Sequence, residues 1–327
     1  MSTLALKGPY WVTVRQYRRT LLLTVAAVAV SLAVVGGLRI WDAQTPDRYF
    51  EGGQRYAADD NRGYETLRIA LEYGGMWLLL LPLLVGAFVA GPLVAREFES
   101  GTYKLSLTQS VSPAAWLRSK VLTASAVALA ATLALIGVYR IGWGRVSGSY
   151  NFSWGDRGPY EATGIVLLAY ALAAVAVGAL IGQLIRRTLV AMAATGLVMG
   201  VVLLILGAFR WSFLSVRTAT GPAGPTLWTP ENGLMMDSGL LTSSGVRFDQ
   251  SVCWDEVNRT PGLDSMYDGG SKLFGRCLAQ HGVTGQYVDY HPQSHFWPTQ
   301  LIESGIVLAL AALAAYAAFR VLRARHP

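Results

Sequence analysis

Charge is scarce in this chain of 327 residues: Asp, Glu, Lys and Arg make up only 14% of it, against roughly 25% in an ordinary soluble domain. Cysteine occurs twice and histidine four times. No Gly-x-x-x-x-Gly-Lys-Ser/Thr occurs, so the chain holds no P-loop of its own. His-Glu-x-x-His and Gly-x-Ser-x-Gly are also missing, which removes the commonest zinc-hydrolase and serine-hydrolase signatures. His291 and His295 are four apart with His281 nearby, but Pro292 follows the first, and they read as polar surface residues rather than a metal site. Neither Cys253 nor Cys277 has a close Cys or His companion, which argues against zinc.

What the chain has instead is apolar sequence, 53% of it, and that sequence is clustered. The segments Leu21–Ile40, Met76–Ala95, Val121–Tyr139, Thr163–Ile185, Leu189–Phe209 and Leu301–Phe319 carry no acid except Glu303 and no base except Arg39. Each is about 20 residues long, enough for a helix to cross a hydrocarbon layer of roughly 30 Å. Six transmembrane helices are therefore expected. The first is read as an uncleaved anchor, because a basic preamble precedes it and no clear cleavage site follows.

The basic residues give the orientation. With the amino terminus inside, 13 Lys and Arg fall in inner segments of about 55 positions, and the other 14 spread over about 140 outer positions. Only Glu97 and Glu99 are acidic on the inner side. This is the positive-inside bias, and it places both termini in the cytoplasm. The bases sit at helix ends without forming a patch, so nucleic acid is not implied. Arginine outnumbers lysine 23 to 4, a coding bias that points to a bacterial plasma membrane.

Before the first crossing, Tyr10, Val14 and Tyr17 share a face with Trp11 beside them, and Pro9 can open the helix. An interfacial elbow helix is expected there. The second crossing contains Pro82 and ends near Gly91–Pro92, so it can bend. The fourth and fifth, joined by little more than Arg186–Arg187–Thr188, form a tight hairpin, and carry Gly178-x-x-x-Gly182 and Gly196-x-x-x-Gly200. The chain divides into residues 1–209, an outer module over 210–299, and the last helix with its tail over 300–327. The module, rich in Gly and Pro, reads as loop-rich on an otherwise all-α membrane protein. Its two cysteines, Cys253 and Cys277, face an oxidising side and are expected to form a disulfide. The run Phe296–Trp297–Pro298 suits the outer aromatic belt.

Two places stand out chemically. Glu303 lies within a crossing, about one turn below the outer interface, where charge is costly. It pairs with Arg39, Arg140 or Arg210, faces a substrate path, or meets water at the helix end. The other is the cytoplasmic stretch after the second crossing: Arg96, Glu97, Phe98, Glu99, Ser100, Gly101, Thr102, Tyr103, Lys104, then Leu105 and Leu107. Gly101 breaks the helix. Ser112 as N-cap and Pro113 at the first helical position restart it, with Trp116 and Lys120 in support. The result is a compact elbow with exposed acids and apolar tips, suited to docking into a groove on another protein.

The run Glu97-Phe98-Glu99-Ser100-Gly101-Thr102-Tyr103, with Ser112-Pro113-x-x-Trp116-x-x-x-Lys120, resembles membrane subunits of type-2 ABC exporters, actinobacterial permeases in particular. Tyr290-x-Pro292 and Phe296-Trp297-x-x-Gln300-x-x-Glu303 are similar to the same subgroup. The resemblance implies an elbow helix plus six crossings, a dimer of half-transporters, and a coupling helix around 97–107 seated in a separate ATP-binding subunit that carries ATP and Mg²⁺. No cofactor is then expected on this chain, and no catalytic residue. The outer module is larger than the family's usual outer loop. Two other readings compete with the permease: a membrane sensor whose module binds a ligand, and a membrane-embedded enzyme such as a lipid-modifying transferase or an intramembrane protease.

Overall fold

The computed structural model describes residues 15, 18–44, 61–103, 112–148, 152–224, 226–260 and 270–325, together with the backbone of two short strands at Tyr49–Glu51 and Gln54–Tyr56. The expected elbow helix before the first crossing lies outside the described residues, as does the stretch from Lys104 to Leu107. The chain divides into two compact units, residues 1–213 with 297–327, and residues 214–296.

The first unit is helical. Its elements are α1 (Arg18–Ala43), strands β1 (Tyr49–Glu51) and β2 (Gln54–Tyr56), α2 (Arg62–Leu84), α3 (Gly91–Ser100), α4 (Pro113–Val146), α5 (Pro159–Thr163), α6 (Val166–Ile185), α7 (Thr188–Phe209) and α10 (Phe296–Arg325). Six helical stretches among the described residues are long and apolar enough to cross a membrane. On α7, Leu189, Leu197 and Leu204 are 67–79% exposed. A water-soluble surface does not carry such a stripe, whereas a lipid-facing helix does. α6 is the most enclosed of the six and packs against α2, α3, α4 and α7.

The second crossing runs as one helical rod from Arg62 to Ser100, far longer than the expected Met76–Ala95. Its first turns carry charge and so resemble a polar loop in the sequence. Asn61 caps them through the Tyr64 amide, and Arg68 pairs with Glu65 at 2.7 Å and Glu72 at 3.4 Å along one face. Between α2 and α3 the rod widens into a π-helix over Val85–Ala90. Pro82, which cannot donate to the helix ladder, sits one turn before it. Against this widened stretch packs α6, where Gly178 lets the backbones touch: a Cβ there would overlap Ala90. Gly200 is different, since a Cβ would meet only Leu83 Cδ1 at 3.4 Å. Gly178→Val should therefore lower the thermal midpoint in detergent sharply, by an overpacking cost of about 1–3 kcal/mol or more, while Gly200→Ala should leave it nearly unchanged.

The second unit corrects the expectation of an all-α protein with a loop-rich module. It holds a four-stranded antiparallel sheet of β3 (Arg217–Pro222), β4 (Leu234–Thr242), β5 (Arg247–Phe248) and β6 (Val283–His291), in the order β3-β6-β4-β5. Two helices, α8 (Ser251–Arg259) and α9 (Ser271–Gln280), sit between β5 and β6 in sequence. The central strand β6 is buried on both faces from Tyr287 to His291, so its residues show no alternation of polar and apolar types to announce a strand. Cys253 and Cys277, both fully buried, form a disulfide that joins α8 to α9 with Cα atoms 5.6 Å apart. Beside it, the rings of Trp254 and Phe274 stack with centroids 4.4 Å apart. Replacing both cysteines by serine should destabilise this unit by about 3 kcal/mol, read as faster proteolysis within 214–296 of the full chain.

Candidate functional site: a braced elbow and a buried charge cluster

At one end of the helical unit α3 stops and α4 begins, separated by residues 101–112. The stop is set by Gly101 in the left-handed region at φ 73°, a conformation costly for any residue with a Cβ. The restart is set by Ser112, whose Oγ accepts the Ala115 amide at 3.2 Å, with Pro113 in the first turn. Phe98 packs against Tyr103 at 4.7 Å and, edge-on, against Trp116 at 6.0 Å, all next to a core of Leu93, Val94, Leu117 and Val175.

Glu97 does not behave as an exposed docking acid. It is buried, and its carboxylate accepts the Trp116 indole N–H at 3.0 Å and the Lys120 ammonium at 2.6 Å. The Lys120 side chain is 3% exposed. Sequence spacing could not reveal this, because the partners lie 19 and 23 residues away on another helix. Glu97, Trp116 and Lys120 thus brace the two sides of the elbow. The surface of the elbow is left to Glu99, Ser100 and Thr102, all exposed, with Gly101 and Tyr103 half-buried. The Ser100 and Thr102 hydroxyls lie 2.9 Å apart. Glu99 accepts from the Thr188 amide at 2.9 Å and from the Thr188 hydroxyl. Arg186 lies over the Phe98 ring at 5.5 Å, and Arg325 donates to the Gln183 carbonyl at 2.6 Å.

At the opposite end Glu303 has found its base. Of the three candidates Arg210 is the partner, donating through Nε at 2.8 Å and Nη2 at 3.0 Å. Arg39 is instead taken by Asp42 at 2.7 Å, and Arg140 donates to the Thr163 carbonyl. The cluster also holds residues that sequence reasoning missed. Glu161 accepts from Arg210 Nη2 at 2.6 Å and from the Gly158 amide at 2.9 Å. The Tyr170 hydroxyl donates to Glu303 at 2.7 Å, and the Tyr160 ring lies 3.9 Å under the Arg210 guanidinium. Arg210, Glu161 and Glu303 are all at most 2% exposed. Gln300, one turn before Glu303, ties the same place together: its Oε1 accepts the Ile165 and Val166 amides at 3.0 and 2.8 Å, and its Nε2 donates to the Tyr160 carbonyl at 2.8 Å. The cluster therefore locks α5, the start of α6, the end of α7 and the first turns of α10. The one signal for Glu161 is an acid just ahead of the fourth apolar run, behind Gly158–Pro159.

No group of three or more His, Cys, Asp or Glu able to hold a metal occurs among the described residues. His291 and His295 meet through their Nδ1 atoms at 3.0 Å, and His291 is buried rather than on the surface as expected, while His281 is exposed and packs on Phe248 at 5.2 Å. In the 214–296 unit, a hydrogen bond from Thr218 and the Arg247 guanidinium hold the Asp289 carboxyl below its usual range.

Residues 22–210 match the family of ABC-2 membrane transporter related proteins. That stretch takes in the first five crossings, the whole elbow and Arg210, and it is more than half of the chain. The chain belongs to this family and is a membrane permease of the ABC-2 type. A search of curated proteins finds no match.

Proposed function

We propose that this chain is the membrane-spanning subunit of an ATP-driven exporter of the actinobacterial kind, paired with a second permease subunit in a bacterial plasma membrane. The elbow at 97–103 is its coupling surface for a separate ATP-binding subunit, on which ATP and Mg²⁺ are held. Both termini are cytoplasmic and the 214–296 unit is extracellular, as the arginine placement supports. The observation that carries the reading is the brace. A solvated connector has no need of a buried Glu97–Lys120 pair and a positive-φ glycine to hold a short turn in one shape, whereas a surface that must transmit force does. Within it the roles divide: Glu97, Trp116 and Lys120 hold the shape, and Ser100, Gly101, Thr102 and Tyr103 present it.

Purification of the chain from its own membranes in a mild detergent tests the proposal. An ATP-binding subunit bearing a P-loop is expected in stoichiometric amount. Gly101→Pro, which fixes φ near −65° where +73° is needed, should lose that subunit while still inserting in the membrane. Recovery of the wild-type chain without such a subunit would count against it.

A further inference from the structure

The first turn of α7 starts without a cap of its own. Its N-cap residue is Arg187, in extended conformation, whose side chain makes no capping hydrogen bond. The first N–H groups of any helix lack partners within it and favour a negative group close by. Here the missing acceptor comes from 89 residues away: the Glu99 carboxylate takes the Thr188 amide at 2.9 Å and the Thr188 hydroxyl with the same oxygen. Glu99 is the penultimate residue of α3, two positions before the turn at Gly101. One residue earlier, Phe98 lies under Arg186, which takes φ 55° to end α6.

We infer that Glu99 is the capping acceptor of α7, supplied by a distant part of the same chain, and that the elbow moves α7 through it. This rests on the coupling reading for what pushes the elbow. The physical content is separate: a fifth crossing whose first turn is capped by the elbow loses that cap if the elbow shifts by more than a hydrogen-bond length, so the turn either follows or frays more readily. The brace at Glu97 makes following possible, since α3 and α4 are fixed to each other and Glu99 is carried on α3. Glu99 is thereby a positioning residue, acting on the transport path through α7.

The test uses the full chain in lipid nanodiscs and needs no partner for its first part. Amide exchange at Thr188 should be on the order of tenfold faster in Glu99→Ala than in wild type, the scale of one lost helix cap. Glu99→Gln, which keeps an acceptor oxygen, should fall between them. In the complete transporter, with export normalised to the ATP-binding subunit actually bound, Glu99→Ala should export several-fold less per ATP hydrolysed, with Glu99→Gln partly restored. Unchanged exchange at Thr188 would overturn the cap, and faster exchange with undiminished export per ATP would overturn its role in transmission. Failure of the wild-type chain to bind an ATP-binding subunit would remove the coupling reading, and the exchange measurement on the chain alone would still decide the cap.

Discussion

Replacing Arg210 by methionine is expected to destabilise the helical unit by about 3–5 kcal/mol, the usual cost of leaving a buried charge without its partner. The reason lies in the count of charges. Arg210 is the base that faces two carboxylates, Glu161 at 2.6 Å and Glu303 at 2.8 Å, each at most 1% exposed. Without it, two like charges share a site closed to water. The side chain also fills space over Tyr160, so packing is lost with the charge. A large fall in the thermal midpoint in detergent is the expected result. The triple variant Arg210→Met, Glu161→Gln, Glu303→Gln removes all three charges and should recover much of the loss. A triple variant as unstable as the single one would show that shape and hydrogen bonding, rather than charge balance, hold this end together.

Lys120→Met should cost a similar amount, about 3–5 kcal/mol, and should carry a second consequence. It strands Glu97 inside the protein at the base of the elbow, so the carboxylate must find water by moving the last turn of α3. The predicted outcome is a lower midpoint together with loss of the co-purifying ATP-binding subunit. The double variant Glu97→Gln, Lys120→Met should regain stability. Neither position is then charged, and the side-chain carbonyl introduced at position 97 can still accept from Trp116. The difference between the double variant and the sum of the singles reports the coupling of the pair directly.

These two clusters also mark the limit of what the sequence disclosed. The six crossings were legible because apolar length is a local property, and α6 ends at Ile185 and α7 begins at Thr188, at the expected 186–188 hairpin. The helix stop at Gly101 and restart at Ser112 were legible for the same reason, since caps are local chemistry. Glu303 can be recognised as needing a base, but the choice of Arg210 over Arg39 and Arg140 depends on how helices rotate against one another. Glu161 escapes notice because an acid between two apolar runs reads as an ordinary loop residue, whereas it sits on the short buried helix α5. Glu97 reads as exposed because nothing within a helical turn of it hints at Lys120. The strands of the 214–296 unit stay hidden since β6 is covered on both faces and shows no period of two.

The central claim is that the elbow meets an ATP-binding subunit. Site-specific photo-crosslinking from position 102 tests it most directly, because Thr102 is exposed next to the braced turn. A photoreactive residue at 102 should crosslink efficiently to an ATP-binding subunit in native membranes, and the yield should change when ATP is added. The same probe at the exposed apolar position 197 on α7 should not. Absence of that crosslink from 102, in a chain that is folded and active in transport, would contradict the account.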